Sequence, residues 1–226
     1  VDGASSDGTV ALIKDTDRLI GFWVSARDCG IYDAWNKALP HINGSWVLFL
    51  GAGDKLYNNF VLEKISHILL KNRNSLLIYG ITTVVSEDYK YIFSIWGKPW
   101  NDLKDKWETI RPALPPHPSS FFNSEIFLKE NYIFPDNYRI AGDSHLLMTV
   151  LKKEEPYFVA ENIDIMPSGG ISSSSDTKLK SLKEIKKLNK EFNIKTPFKM
   201  YSLGLSKIYG YIFLSKILTE KKLIKI

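Results

Sequence analysis

Two aspartates stand where this chain could do chemistry. Asp54 ends the stretch Trp46-Val47-Leu48-Phe49-Leu50-Gly51-Ala52-Gly53-Asp54, in which five apolar residues stop abruptly at small residues and one carboxylate. Such a run reads as a buried strand that stops at an edge, and open α/β sheets bind ligands at the carboxyl ends of their strands. Gly51, Ala52 and Gly53 allow a ligand close to the backbone. A carboxylate there can hold a divalent cation, which in turn can hold a diphosphate. The same residues also make a plain Gly-rich turn with Asp54 as its capping residue. Asp143, in Tyr138-Arg139-Ile140-Ala141-Gly142-Asp143-Ser144-His145, precedes an apolar helix from Leu146 to Leu151. It suits the N-cap of that helix. A capping carboxylate at a cleft edge can also act as a general base, so the two roles coexist.

The elements that must carry these residues follow in order. Residues 1–9 are small and polar and run into a helical pattern at Val10, Leu12 and Ile13, with Asp7, Gly8 and Thr9 suited to starting it. A loop that opens a helix in this way can offer backbone N–H groups to an anion. Leu19 to Ser25 reads as a short strand, and Ile31 to Leu39 as a helix with Tyr32, Trp35 and Leu39 on one stripe and Asp33 and Asn36 beside it. Asn59 to Lys71 is an amphipathic helix and Leu76 to Gly80 a buried strand. Thr82 to Val85 and Tyr89 to Trp96 form a hairpin. Lys98 to Pro118 is a long loop with five prolines, and Ser124 caps a helix to about Asn131. Tyr157 to Met166 is a strand region leading to the polar loop Pro167 to Ser173, and Ser181 to Phe192 is a lysine-rich helix. The fold class is α/β, an open and mostly parallel sheet flanked by helices, with a helical tail.

Composition narrows the function. A single cysteine, Cys29, excludes an internal disulfide, and no run of 18 apolar residues spans a membrane. The net charge is +5, and residues 195–226 carry seven lysines against Glu220 alone, which leaves 1–194 at −1. A nucleic-acid-binding domain usually carries its basic patch on the folded body, so that class ranks low. The tail places Tyr201, Leu205, Ile208 and Ile212 on one helical stripe. Basic and amphipathic, it suits an anionic membrane surface or packing on the body or a partner chain. The chain divides into 1–194 and the tail 195–226. It opens on Val1-Asp2-Gly3, which reads as the end of a strand whose beginning is missing.

The ordered motifs Val1-Asp2-Gly3-Ala4-Ser5-Ser6-Asp7-Gly8-Thr9, Asp28 to Ala38, Trp46 to Asp54 and Ala141-Gly142-Asp143 resemble the family 2 glycosyltransferases of GT-A fold, especially those of bacterial surface-polysaccharide assembly. His117-Pro118-Ser119-Ser120-Phe121-Phe122 and Gly169-Gly170-Ile171-Ser172-Ser173 fit the same subgroup. The resemblance implies that Asp2, with Ser5 and Asp7 near it, reads the nucleotide base. It implies that Asp28, Asp33 and Asn36 wall the ribose and diphosphate, with Gly53 beside them. Asp54 is then the last acid of a metal-binding Asp-x-Asp signature for Mg²⁺ or Mn²⁺, and Asp143 is the base of an inverting transfer. The resemblance also implies a nucleotide-sugar donor of the UDP-linked kind and, as acceptor, a hydroxyl of a growing, lipid-linked glycan. His117, Trp100 and Trp107 are acceptor contacts by type, because aromatic faces suit sugar rings, and equally suit packing.

Two departures stand out. Ala52 occupies the position of the signature's first acid, and on the order of thirty residues of an opening strand-helix unit are missing ahead of Asp2. They keep a second reading open, a catalytically inactive or truncated sugar-nucleotide-binding relic of the same fold. The resemblance further implies an enzyme at the cytoplasmic side, peripheral on the inner membrane face, with no nucleic-acid partner. A nucleotidyltransferase of similar design would need a Gly-rich, Arg/Lys-bearing loop, and none is present in these residues.

Overall fold

Successive side chains of a strand point to opposite faces, and here neighbouring residues divide between two cores. In the computed structural model of the chain, which describes residues 1–169 and 175–223, Leu77 and Phe122 enter one apolar cluster while Ile78 and Phe121 enter another. The sheet therefore lies between two layers of helices.

The elements in chain order are α1 (Thr9–Asp15), α2 (Ile31–Ala38), β1 (Trp46–Leu48), β2 (Lys55–Leu56), α3 (Val61–Lys71), β3 (Leu77–Val85), β4 (Ile92–Trp96) and α4 (Trp100–Leu103). They continue with β5 (Trp107–Glu108), β6 (Arg111–Pro112), β7 (Ser120–Asn123), α5 (Glu125–Leu128), α6 (Gly142–Leu151), β8 (Tyr157–Pro167), α7 (Ser175–Glu191) and α8 (Phe198–Leu223). One sheet has the order β1-β7-β3-β8-β2, and β4 pairs with the second half of β3, past the reach of β7. β5 and β6 form a small separate hairpin.

The first core joins Tyr32 of α2, Phe127 of α5 and Leu146 of α6 to Phe49, Leu77 and Phe122. The second joins Val61, Ile65 and Leu69 of α3 to Ile78, Phe121, Val159 and Ile163. α7 covers α6 from outside through Tyr138, Met148 and Leu188. Leu77, Ile78 and Phe122 have 0% exposure, and full burial of such side chains stabilises by about 1.5–3 kcal/mol each. β3 and β7 are thus the least movable part of the frame, and the loops at their ends inherit that rigidity.

Several expectations need correction. The sheet is mixed rather than mostly parallel: among the named strands only β3 and β8 run parallel, and the other ladders are antiparallel. The chain returns after β3 through a hairpin, a connection that antiparallel pairing permits without a crossover helix. β3 is one strand of nine residues, not two pieces. Leu19 to Ser25 is not a strand; a single parallel bridge joins Asp2 to Ser25. The first turn of α5 is capped by Asn123, whose Oδ1 accepts the Glu125 N–H at 3.0 Å, and not by the Ser124 side chain. The proline-rich segment carries α4, the β5–β6 hairpin and a 3₁₀ turn over His117–Ser119.

α8 starts on the body. Thr196 Oγ1 and Asn189 Nδ2 both donate to the Ile110 carbonyl, at 2.8 and 2.7 Å, and Gly204 sits so close that a Cβ there would lie 2.7 Å from Ile110. Tyr201, Leu205 and Ile208 are half-buried, while Leu203, Tyr209, Tyr211 and Phe213 face outward. The Ile212 side chain and residues 170–174 and 224–226 lie outside the described residues. Among the described residues no helix is long and apolar enough to cross a membrane.

Candidate active site

The opening loop is built around Asp2. Its carboxylate accepts the Ser5 N–H at 3.0 Å, the Ser5 hydroxyl and the Ser25 hydroxyl at 2.6 Å. The bonds from Ser25 and Ser5 hold its pKa well below the usual carboxylate range, at about 2. Asp2 is 7% exposed and both oxygens are engaged, so it sets the loop rather than offering a free carboxylate to a base. Asp7 likewise turns inward to Thr9, whose N–H and hydroxyl it accepts, and these bonds lower its pKa. Ser5 is exposed beside them.

Asp28 comes against this loop from the next one. A Cβ on Gly3 would lie 2.7 Å from Asp28 Oδ2, so the carboxylate stands directly against the opening loop. Asp28 Oδ1 accepts the Gly30 N–H at 2.9 Å. Asp33 accepts the Cys29 N–H at 2.9 Å and pairs with Lys37 at 3.3 Å; the Cys29 bond is the main cause of its lowered pKa. Asn36 faces away: its amide donates to Phe134 O and accepts Phe134 N–H, both at 2.8 Å, a clamp that fixes the chain leading to α6. Asp2, Ser5, Asp28 and Asp33 thus share one surface, and Asn36 supports it from behind.

The Asp54 turn is folded on itself. Asp54 Oδ2 accepts the Gly51 N–H at 2.7 Å and its own N–H returns to Gly51 O at 3.1 Å. Gly53 has φ of +92° and is held from outside by Tyr89, at the tip of the β3–β4 hairpin, which donates to its carbonyl at 2.5 Å. Lys55 lies 3.6 Å over the same Tyr89 ring. Burial raises the pKa of Asp54. Asp164 on β8, which the sequence reading missed, is 0% exposed; Thr82 donates to Oδ1 at 2.7 Å and Oδ2 has no partner among the described residues. Burial, together with the Asp54 charge, pushes it up to about 7. Its strand context, between Ile163 and Ile165, looks like ordinary buried alternation, and nothing in the sequence marks it. No group of three metal-ligating side chains occurs among the described residues.

Asp143 is not the N-cap expected of it: Ala141 is, and Asp143 sits two residues further on, in the first turn of α6. Its Oδ1 accepts the Ser144 N–H at 2.6 Å, and the Tyr32 hydroxyl approaches at 3.4 Å while donating to Ile140 O at 2.7 Å. Gly142 is required because a Cβ there would stand 2.8 Å from the Tyr32 ring. The turn is held from α7. Glu184 accepts the N–H groups of Arg139, Ile140 and Ala141 at 3.0, 2.8 and 2.9 Å, and so takes up donors that a helix start leaves free. Seven residues on, Glu191 accepts from Tyr138 at 2.7 Å and meets His145 Nε2 at 2.9 Å, whose Nδ1 meets Tyr132 Oη at 2.9 Å. The Arg139 guanidinium reaches Cys29 O, which ties this turn to the Asp28 loop.

A cavity of about 570 Å³ opens beside Asp143, walled also by Trp96, Arg111, Lys178, Lys207 and Tyr211. None of the three acceptor candidates, Trp100 on α4, Trp107 on β5 and His117, lines it; the tryptophan on its wall is Trp96. His117 is 7% exposed and stacks on Trp35 with ring centroids 5.1 Å apart. Burial pushes it down to about 4 against the opposing pull of Asp143, so it is neutral at pH 7, and Nε2 has no partner among the described residues.

These loops and this carboxylate are carried by an α/β fold with a mixed sheet flanked by helices. The sequence profile of glycosyl transferase family 2 matches residues 1–129, more than half of the chain, and the chain belongs to that family. A PGL/p-HBAD biosynthesis glycosyltransferase of Mycobacterium bovis (strain BCG / Pasteur 1173P2) is 31% identical over 94 residues, 40% of this chain and 37% of its own length. An uncharacterised glycosyltransferase of Mycobacterium tuberculosis (strain ATCC 25618 / H37Rv) is 26% identical over 158 residues, 69% of this chain and 57% of its own. The chain thus spans between about a third and three fifths of these relatives. Among solved structures, S. aureus TarS 1–349 has a TM-score of 0.58 at 16% identity over 92% of this chain and 59% of that one. The same protein was solved with UDP-GlcNAc, again at a TM-score of 0.58 and 16% identity, over 92% of this chain and 61% of that one. The likeness shows the fold: a mixed sheet flanked by helices, like the GT-A domain of TarS.

Proposed function

We propose that the chain is the core of an inverting glycosyltransferase that moves a sugar from a UDP-sugar to a hydroxyl of a lipid-linked glycan at the inner face of the membrane. One observation carries the reading: Asp143 lies on the cavity wall and against Tyr32, whose helix carries the Asp28 loop. The carboxylate therefore stands between the surface suited to a nucleotide and a cavity suited to an acceptor. The UDP complex of the structurally similar TarS supports the choice of nucleotide.

In this reading Asp28 and Asp33, with Ser5, receive the nucleoside across the pre-shaped opening loop. Asp54 fits a Mg²⁺ or Mn²⁺ ion in part: Oδ2 is committed to Gly51 N–H, and one carboxylate plus substrate phosphates is a common arrangement for Mg²⁺. When bound, such an ion would neutralise charge on the departing diphosphate. Asp143 takes the proton of the attacking hydroxyl, and Tyr32 steadies it for that role.

A thermal-shift titration with UDP, GDP and dTDP, each with and without Mn²⁺, tests the donor side. Stabilisation by UDP, larger with the metal, is expected; no response to any nucleotide refutes it. Ala52 favours a second reading, a sugar-nucleotide-binding relic without transfer. That reading predicts UDP binding with no sugar released or transferred from any UDP-sugar.

A further inference from the structure

The wall of the Asp143 cavity carries more positive charge than its own acids answer. Arg111 is paired with Glu108 at 2.8 Å. Lys178 of α7 and Lys207 of α8 have no carboxylate within ion-pair distance among the described residues. Lys178 instead rests 2.9 Å over the ring of Tyr211, an arrangement that holds an ammonium in place without neutralising it. Two such point charges, presented by different helices around one cavity, suit the oxygens of a phosphate.

A second feature opens from the same wall. Trp96 lines the cavity and ends β4, an edge strand whose side chains are exposed on both faces: Tyr91 beside it, then Ile92, Phe93 and Ile95, are 61–67% exposed. A bare apolar edge of this kind is a liability in water unless something covers it. Polar and cationic at one end, apolar at the other, the surface matches an amphiphile.

We propose that Lys178 and Lys207 bind a phosphate or diphosphate ester of the acceptor lipid beside Asp143, with its hydrocarbon chain leaving along β4. The site rests on the reading of this cavity as the acceptor side. It accounts for why the base shares its cavity with two lysines that have no carboxylate partner among the described residues: the acceptor's charged linkage would be held while a nearby hydroxyl meets Asp143. The tail then contributes a residue to the site rather than only a charge to the surface.

Calorimetric titration of the full chain with farnesyl diphosphate, with farnesol and with inorganic diphosphate tests it. Farnesyl diphosphate should bind better than either part alone. The double variant Lys178→Gln/Lys207→Gln should weaken it at least about tenfold, while Lys195→Gln/Lys199→Gln, an equal loss of two charges outside the cavity, should not. Phe93→Ser should weaken farnesyl diphosphate and leave inorganic diphosphate unchanged. Unaltered affinity in a double variant that melts at the parent temperature overturns the proposal. Displacement of farnesyl diphosphate by saturating UDP also overturns it, because the lysines would then serve the donor. Asp143→Asn separates the two readings: it should leave this binding intact, whereas transfer that survives the substitution refutes the base and not the lipid site.

Discussion

Asp143 and Asp164 show how the same carboxylate gains different properties from its surroundings. Asp143 is half-exposed, on a cavity wall, with only Ser144 N–H and a long contact to Tyr32. Asp143→Asn keeps those contacts but cannot take a proton, so turnover should fall by about 10²–10⁴-fold with nucleotide binding unchanged, read from paired rate and titration measurements. Asp164 is sealed in the sheet with one oxygen unpaired. Its folded pKa of about 7 lies above the value of 3.8 for a free side chain. The folded state therefore holds a proton that the unfolded chain releases, and stability falls as pH rises from about 4 to about 7. Asp164→Asn should remove that slope and raise neutral-pH stability by about 2–4 kcal/mol, visible in urea unfolding at pH 4.5 and 8. Gly142→Ala places a methyl against the Tyr32 ring and should cost about 1–3 kcal/mol, with a loss of turnover beyond what the melting temperature explains.

α7 is where sequence and structure part company. Its lysines mark a solvated helix, and that reading holds for Lys183, Lys186 and Lys190. The two glutamates that matter, Glu184 and Glu191, look in sequence like ordinary partners of those lysines. What they hold are three backbone N–H groups and a histidine on another helix, contacts made across 43 to 46 residues, which no local spacing encodes. Glu184→Ala should lower kcat with little change in donor KM and destabilise by about 1–3 kcal/mol, while Glu184→Gln should recover part of both, measured by steady-state kinetics and thermal melts. By contrast the presence of a strand at Trp46 and of the helix at Ile31 was legible, because a run of apolar residues and an i, i+3, i+7 stripe are local signals. The strand is not the fully buried one expected, however: it is only Trp46–Leu48, half-buried at the end of the sheet, and Leu50 is exposed. Strand direction was not legible: β7 and β8 carry the same apolar alternation whichever way they run. Nor was Tyr89, a hairpin-tip residue whose hold on Gly53 exists only once β3 and β4 have paired.

Over the whole molecule, charge and apolar exposure point the same way. Lysines concentrate between residues 195 and 226, and the outward aromatic residues Tyr209, Tyr211 and Phe213 share that helix with them. The proposal that these residues and the bare β4 edge meet anionic lipid has a direct test. The protein should co-sediment with vesicles containing phosphatidylglycerol and not with neutral ones, and release as salt is raised past the point where screening reaches about 8–10 Å. Ile92→Asp with Phe93→Asp should reduce the bound fraction at every salt concentration. Binding that ignores both salt and these substitutions would refute the surface.

The bonds from Glu184 also impose an order in time. A ribosome delivers the chain from its N-terminus, so the opening loop, the Asp54 turn and Asp143 itself are all made before Glu184 is. Until α7 emerges, three N–H groups ahead of Asp143 lack the acceptor that fixes them, whatever the rest of the sheet has achieved. A nascent chain can therefore present its nucleotide surface early, yet it acquires a settled Asp143 only once α7 has been made.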